Sequence, residues 1–273
     1  MSYAAQQVRQ LDRDRFVTTL LAPADRREAL FALYAFNLEV ARVRELVSEP
    51  MLGRIRLQWW RDNLESLYEG RAVAHPVAEA LAVAIKTHGL SRSAFERLLT
   101  ARESDLDDTP PADLAGLEDY AEATNASLTA LGLEALGVTD EAAFRAARHI
   151  GIAWALTGLL RAVPFHAGAG RLYLPLSLLA EHGVEPEELL TGKPSPGLAE
   201  IGKVLAARAR HHLSLARQTP LPAEAVPGLM TASLAETYLD RLERVGFNLL
   251  DTGWSQTRPR TAMLAWRAWR GRV

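Results

Sequence analysis

Eight residues, Gly197 to Val204 in GLAEIGKV, have the G-x-x-x-x-G-K spacing with which a glycine-rich loop cradles phosphates. The string ends in Val204, so the hydroxyl that would hold Mg²⁺ is missing. No strand precedes it and its interior favours helix, so a helix is expected there and not a nucleotide site. The seven histidines form no H-E-x-x-H or comparable ligand set. His211 and His212 are adjacent and so face different sides of a helix, which predicts solvated or core histidines. There is no G-x-S-x-G nucleophile elbow, and with no Cys there is neither a disulfide framework nor a thiolate metal site. Of the 31 basic residues only three are Lys, a bias that genome base composition explains better than selection for phosphate contacts everywhere. The tail TAMLAWRAWRGRV sets Met263, Leu264, Trp266 and Trp269 among Arg267, Arg270 and Arg272. That mixture suits an interfacial helix on an anionic membrane, or else a helix docked on the protein's own core.

The elements that must position these groups read as helices. Pro23 and Asp25 open a pattern that runs to about Ser48 and is stopped by Pro50. Leu52 to Glu69 ends at Gly70, Pro76 to His88 stops at Gly89, and Ser91 caps Arg92 to Ser104. DLDDTPPAD, Asp105 to Asp113, reads as a loop. Long helices follow over Leu114 to Leu136 and Asp140 to Val163, the second with Thr139 as N-cap and a break at Pro164. Ala167 to Pro196 is irregular, with short helices near Leu176 to Glu181 and Pro186 to Leu190. Helical periodicity resumes over Leu198 to Arg217 and Ala223 to Val245, with a short amphipathic piece near Thr261 to Arg270. Small residues recur from Ala121 to Gly158, which either brings helices close or leaves room for a ligand.

The bulk numbers fit this. A chain of 273 residues, 48% apolar, can bury a sizeable core, and its length predicts roughly one to two domains; the pattern favours a single all-α domain over 1–273 with a basic aromatic segment at 258–273. A net charge of -2 with interspersed signs argues against a nucleic-acid partner. The N-terminus lacks the apolar run of a signal peptide and carries early acids, unlike a transit peptide. The longest uncharged apolar stretch, Ile150 to Leu160, falls short of the about 20 residues that span a bilayer, so a soluble cytoplasmic protein is expected.

Two segments, LLAPADRREALFALYAFNLEVARVRELVSEP and LTGLLRAVPFHAGAGRLYLP, resemble the squalene and phytoene synthase family of head-to-head prenyl synthases. Its pattern runs roughly ALYAF-x-R-x-x-D-x-x-x-D and then N-x-L-R-D-x-x-x-D…GR-x-YLP. The resemblance implies an isoprenoid-synthase-type helical bundle around a central cavity, with metal-binding carboxylates at Ala41, Glu45, Ala162 and His166. Only Glu45 keeps a carboxylate. The enzymes hold two diphosphates with Mg²⁺, a hard ion that wants oxygen ligands. The positions that the resemblance places near the diphosphate remain basic: Arg161, Arg171 and Tyr173, joined by Arg42, with Tyr120 at the tyrosine of the family's YC-x-x-VAG motif. These are candidate anion-binding residues. Pairing of the arginines with helix-face acids such as Glu39 and Glu122, and a half-buried core role for Tyr120, are the alternatives.

The likeness extends through GRIRLQWW, ARESDLDD, YAEATNASL and EHGV, and is greatest to the branch that contains the mitochondrial complex I assembly factor of squalene/phytoene synthase type and its bacterial relatives. It implies a non-catalytic protein that assists assembly of NADH:ubiquinone oxidoreductase with complex I subunits or other assembly proteins as partners. It would sit peripherally on the cytoplasmic face of the membrane and bind an isoprenoid or lipid, with no cofactor. The competing reading is a divergent prenyltransferase that condenses two prenyl diphosphates with Mg²⁺, and a third is a helical scaffold with no ligand.

Overall fold

A computed structural model of the chain describes residues 1–107, 109–218, 220–256 and 261–273. Asp108 of the expected loop and residues 258–260 of the basic aromatic segment lie outside the described residues. All regular structure among the described residues is helical. The first half of the chain runs through α1 (Tyr3–Leu11), α2 (Arg13–Thr19), α3 (Arg27–Ala41), α4 (Val43–Leu46), α5 (Pro50–Tyr68), α6 (Pro76–His88), α7 (Arg92–Glu103), α8 (Leu114–Ala121) and α9 (Ser127–Leu136). The second half runs through α10 (Glu141–Gly168), α11 (Leu176–Glu181), α12 (Pro186–Leu190), α13 (Pro196–Ala216), α14 (Val226–Leu229), α15 (Thr231–Arg244), α16 (Gly253–Gln256) and α17 (Thr261–Trp269).

Five local results depart from the sequence reading. The N-terminal residues, given no element above, form α1 and α2, because Ser2 caps the first and Asp12 both ends it and caps the second through the Arg15 amide (3.0 Å). The helix expected over Asp25 to Ser48 breaks at Arg42 (φ -98°, ψ 4°), so α3 stops at Ala41. The helix expected over Leu114 to Leu136 contains a π-helical turn at Glu122–Ala126 between α8 and α9. There the Thr124 and Thr129 hydroxyls donate to the Tyr120 and Asn125 carbonyls (2.7 Å each), occupying acceptors that a π turn leaves poorly bonded. The fourth departure is α10, which passes through Pro164 to Gly168 although a proline there costs about 3 kcal/mol. Burial of Val163 and Ala167 on the core side holds its last turns, and the N-cap is Asp140, not Thr139. Lastly, the span from Ala223 to Val245 divides at Met230.

Helix α10 is the axis of the molecule and packs on α8, α9, the π turn, α13 and α15. By length and hydropathy it alone among the described helices could cross a bilayer, which the count of uncharged residues missed. However, 61% of that window is buried in the bundle, as befits a core helix. Both readings of the small residues hold. A Cβ on Gly151 would sit 2.4 Å from Cα of Ala126, so α10 touches the π turn through glycine, whereas a Cβ on Gly158 meets nothing within 4 Å. GLAEIGKV is helical inside α13, and a Cβ on Gly197 would lie 2.2 Å from the His182 carbonyl oxygen, so that glycine serves packing. Of the paired histidines, His211 is exposed. His212 is buried, with its Nδ1 2.9 Å from Nδ1 of His149 and its Nε2 3.2 Å from Glu118.

Candidate functional site

A cavity of about 660 Å³ opens between the α1–α2 corner, the C-terminal end of α3, and α10. Its wall is part apolar, with Leu11, Leu38, Trp154 and Leu159, and part charged with mixed sign, where Arg13, Arg15, Arg102 and Arg161 face Asp12 and Asp14. The corner is built by the chain turning sharply at Asp12, which brings Asp14 and Arg15 inside at 7% and 8% exposure. Buried charges require partners, and these have them. Arg15 Nη1 pairs with Asp12 (2.9 Å) and Nη2 donates to the Asn125 side chain of the π turn (2.6 Å), with Tyr34 and Trp154 under the guanidinium. Asp14 accepts from Arg161 Nη1 (3.0 Å) and from the Tyr238 hydroxyl (2.9 Å). The Arg161 guanidinium lies 3.8 Å from the Tyr238 ring centroid, close enough for a cation–π contact. Burial, and less strongly the Asp14 carboxylate, push the Tyr238 phenol up to about 12 against the opposing pull of Arg161, so it remains a donor.

A second network closes another side. Asp105, itself buried, accepts from the Tyr120 hydroxyl (2.8 Å) and from Arg102 (3.2 Å), and Arg102 also donates to Tyr120. Burial holds the Tyr120 phenol well above its ordinary pKa. Tyr173 also hydrogen-bonds with Asp105, and burial raises its phenol too. The Nε atoms of Arg102 and Arg161 are buried without a hydrogen-bond partner among the described residues. Unsatisfied buried donors beside a cavity fit a site that takes an acceptor.

The expected site residues divide. Ala41, Tyr120 and Arg161 line the cavity. Arg42, Glu45, Ala162, His166, Arg171 and Tyr173 do not. Arg42 and Glu45 pair with each other (3.3 Å) at half-exposed positions, because the break at Arg42 turns Glu45 out of the α3 register. Arg171 donates to the Arg44 carbonyl (3.2 Å), and with Tyr173 borders a separate small void next to Ser104 and Asp105. The His166 ring packs 4.4 Å from that of Tyr173; burial, then the Arg171 charge, lower its pKa to about 4. Ion pairing does engage the arginines, but with other acids than expected: Glu122 takes Arg148 and Asp14 takes Arg161.

The four positions at which the resemblance puts metal ligands do not fit Mg²⁺. Ala41 and Ala162 bring no oxygen, Glu45 is held by Arg42, and His166 offers nitrogen. No group of three or more His, Asp or Glu among the described residues is placed to hold a metal ion. Sequence reasoning also missed Asp12, Arg13, Asp14, Arg15, Arg102, Asn125 and Tyr238. The available signal was Asp12 as an N-cap three residues before Arg15, in a segment read only for targeting signals.

The squalene/phytoene synthase family model matches residues 8–269 of this fold. The chain belongs to that family. Within the squalene/phytoene synthase family it is similar to the mouse (Mus musculus) protein named NADH dehydrogenase (ubiquinone) complex I, assembly factor 6, at 36% identity over 90% of this chain and 75% of the relative. It is also similar to the presqualene diphosphate synthase of Rhodopseudomonas palustris, at 29% identity over 78% of this chain and 76% of the relative. A crystal structure of a dehydrosqualene synthase superposes with a TM-score of 0.85 at 20% identity, covering 98% of this chain and 94% of the other, which shows the all-α isoprenoid synthase fold. On that fold, the arginine-lined cavity of this chain can bind an anionic group through guanidinium forks.

Proposed function

We propose that this chain is a non-catalytic member of its family that assists assembly of NADH:ubiquinone oxidoreductase. In this reading it works peripherally at the cytoplasmic face of the membrane, with subunits of that complex or other assembly proteins as partners. The cavity holds an isoprenoid or lipid whose anionic head meets arginine instead of Mg²⁺. One observation carries the proposal: the cavity keeps four arginines, while the wall position where the family pattern has its first aspartate is Ala41, the last residue of α3. Without paired carboxylates on one helix face there is no cage for the metals that leaving diphosphates need. The name borne by the more similar relative supports the assembly role.

The test compares a strain that lacks this chain with one that carries it. Loss of assembled NADH:ubiquinone oxidoreductase, restored by the chain, is expected. In parallel, the purified protein given farnesyl diphosphate, Mg²⁺ and NADPH should release no pyrophosphate. Pyrophosphate release with a squalene-type product would overturn the non-catalytic reading in favour of a divergent prenyltransferase.

A further inference from the structure

Helix α17 is fastened to the bundle along one edge. Leu264 is fully buried, and Arg267 donates to Glu236 (2.7 Å) and to the Ser233 hydroxyl (3.1 Å) on α15. At 100° per residue the opposite edge presents Trp266 and Trp269, which are 50% and 83% exposed. The expected alternative, a helix docked on the protein's own core, is realised through Leu264 and Arg267, while the tryptophans stay outside that contact. Arg270 lies 5.0 Å from the Trp266 ring centroid and is open to solvent, as is Arg272. Beside the helix runs a groove of about 450 Å³ lined by Arg217, Leu221, Glu236, Trp266, Arg267 and Arg272. Three guanidiniums thus face the Glu236 carboxylate and the backbone oxygen of Val273. Glu236 is bonded by Arg217 (2.8 Å) and Arg267 (2.7 Å), and Arg217 Nε also donates to Val273 (3.1 Å), which leaves Arg272 as the uncommitted cation among the described residues of the groove. The groove keeps a net positive charge next to two aromatic rings standing in water.

We propose that this face docks on an anionic phospholipid bilayer. Trp266 and Trp269 enter the headgroup layer, and the Arg217–Arg267–Arg272 groove seats a lipid phosphate. Charge complementarity selects this occupant: a second copy of the chain would bring the same arginines against themselves, whereas a phosphate layer neutralises them. Indole rings favour the headgroup level because they combine an apolar body with an N–H donor. The face lies apart from the arginine-lined cavity and uses none of its residues. The proposal rests on the peripheral-membrane part of the function proposed above and not on its complex I part.

The test is sedimentation of the full chain with vesicles of phosphatidylcholine alone or mixed with phosphatidylglycerol, at low and high salt. Strong pelleting with the anionic vesicles at low salt, weak pelleting with neutral ones and loss at high salt are expected. Trp266→Ala with Trp269→Ala, and separately Arg270→Glu with Arg272→Glu, should each reduce anionic-vesicle binding roughly tenfold or more with unchanged melting temperature. Intact protein that never pellets, or variants that bind as well as the parent, would overturn the proposal. Equal binding to neutral vesicles would refute the phosphate seat, and a solution dimer dissociated by the tryptophan variant would identify a second copy as the occupant instead. A chain that pellets as expected but whose absence leaves complex I intact would sink the assembly reading alone. The reverse pair of results would sink only this one.

Discussion

The α1–α2 corner and the far end of α10 are built from the same parts. Each has a buried aspartate bonded to a tyrosine hydroxyl and to an arginine: Asp14 with Tyr238 and Arg161 in the first, Asp105 with Tyr120 and Arg102 leading to Tyr173 and His166 in the second. The corner faces a large cavity with an exposed cation, Arg13, at its edge. The second network shows only Arg102 and Tyr120 to that cavity, and beyond them it closes on itself, with His166 tilted against Tyr173 and Arg171 donating to a backbone carbonyl. Family motifs mark most of the far end, whereas at the corner they mark Arg161 and Ala41 but neither Asp14 nor Tyr238. Placement around the cavity, more than motif membership, therefore decides which arginines can meet a ligand.

The comparison breaks most visibly at Asp14. Asp14→Ala leaves Arg161 and Tyr238 without their shared acceptor in a mostly buried setting, and the expected loss is about 2–4 kcal/mol. Urea unfolding at neutral pH measures it. A loss under half that size would mean that water replaces the carboxylate and that the corner is less closed than its burial indicates.

Acid acts on the far end. Burial, then Arg171, lower the His166 pKa from its ordinary 6.5 to about 4. The unfolded chain therefore takes up this proton at higher pH than the folded one. Its contribution is full above the unfolded value of about 6.5 and is lost as the pH falls towards 4, by on the order of 2–3 kcal/mol. Comparing His166→Gln with the parent across that window isolates the term, and the variant should show a shallower decline. Parallel curves would place the titration elsewhere, with His149 and His212 the next candidates, since burial lowers both.

Much of the fold was legible because its punctuation is chemical. Pro76 and Gly89 delimit α6, and Gly89 has the left-handed backbone (φ 63°) that such a C-cap requires. What failed was interruption within a periodic stretch. The π turn packs Ala126 against Gly151, and α10 passes Pro164 with Val163 and Ala167 buried; such tertiary contacts are not contained in a local pattern. The cavity was half legible for the same reason. Arg161 stood inside a known motif, but its partner Asp14 is 147 residues away, and Asp14 is 224 residues from Tyr238. No spacing rule joins residues that far apart.

Ligand binding sharpens the contrast between two arginines. Arg13 lines the cavity, is exposed, and has no hydrogen bond or ion pair among the described residues, so its guanidinium can turn to an incoming phosphate. Arg13→Glu should weaken binding of farnesyl phosphate about tenfold, since a phosphate would lose one fork and meet a like charge. Arg171→Ala should leave the affinity within about twofold, because that side chain is committed to the Arg44 carbonyl outside the cavity. Calorimetric titration of both variants decides it, and the opposite ranking would restore the far end of α10 as the ligand site.

The smallest effect belongs to Glu45, the one carboxylate that survives in the family frame. Its side chain is 33% exposed and pairs with an equally open Arg42, so Glu45→Ala should cost no more than about 0.5 kcal/mol. Binding of an anionic ligand should not change, since Glu45 is not in the cavity wall. Ala41→Asp tests the same geometry from the other direction. Because α3 ends at Ala41 and the chain leaves helical register at Arg42, an aspartate there would not share a helix face with Glu45, and the two carboxylates could not close on one ion. Mg²⁺ should therefore raise the melting temperature of Ala41→Asp no more than that of the parent. A clear Mg²⁺-dependent rise in that variant, abolished by adding Glu45→Ala, would show that the break at Arg42 can straighten and that the old metal frame is still within reach of this backbone.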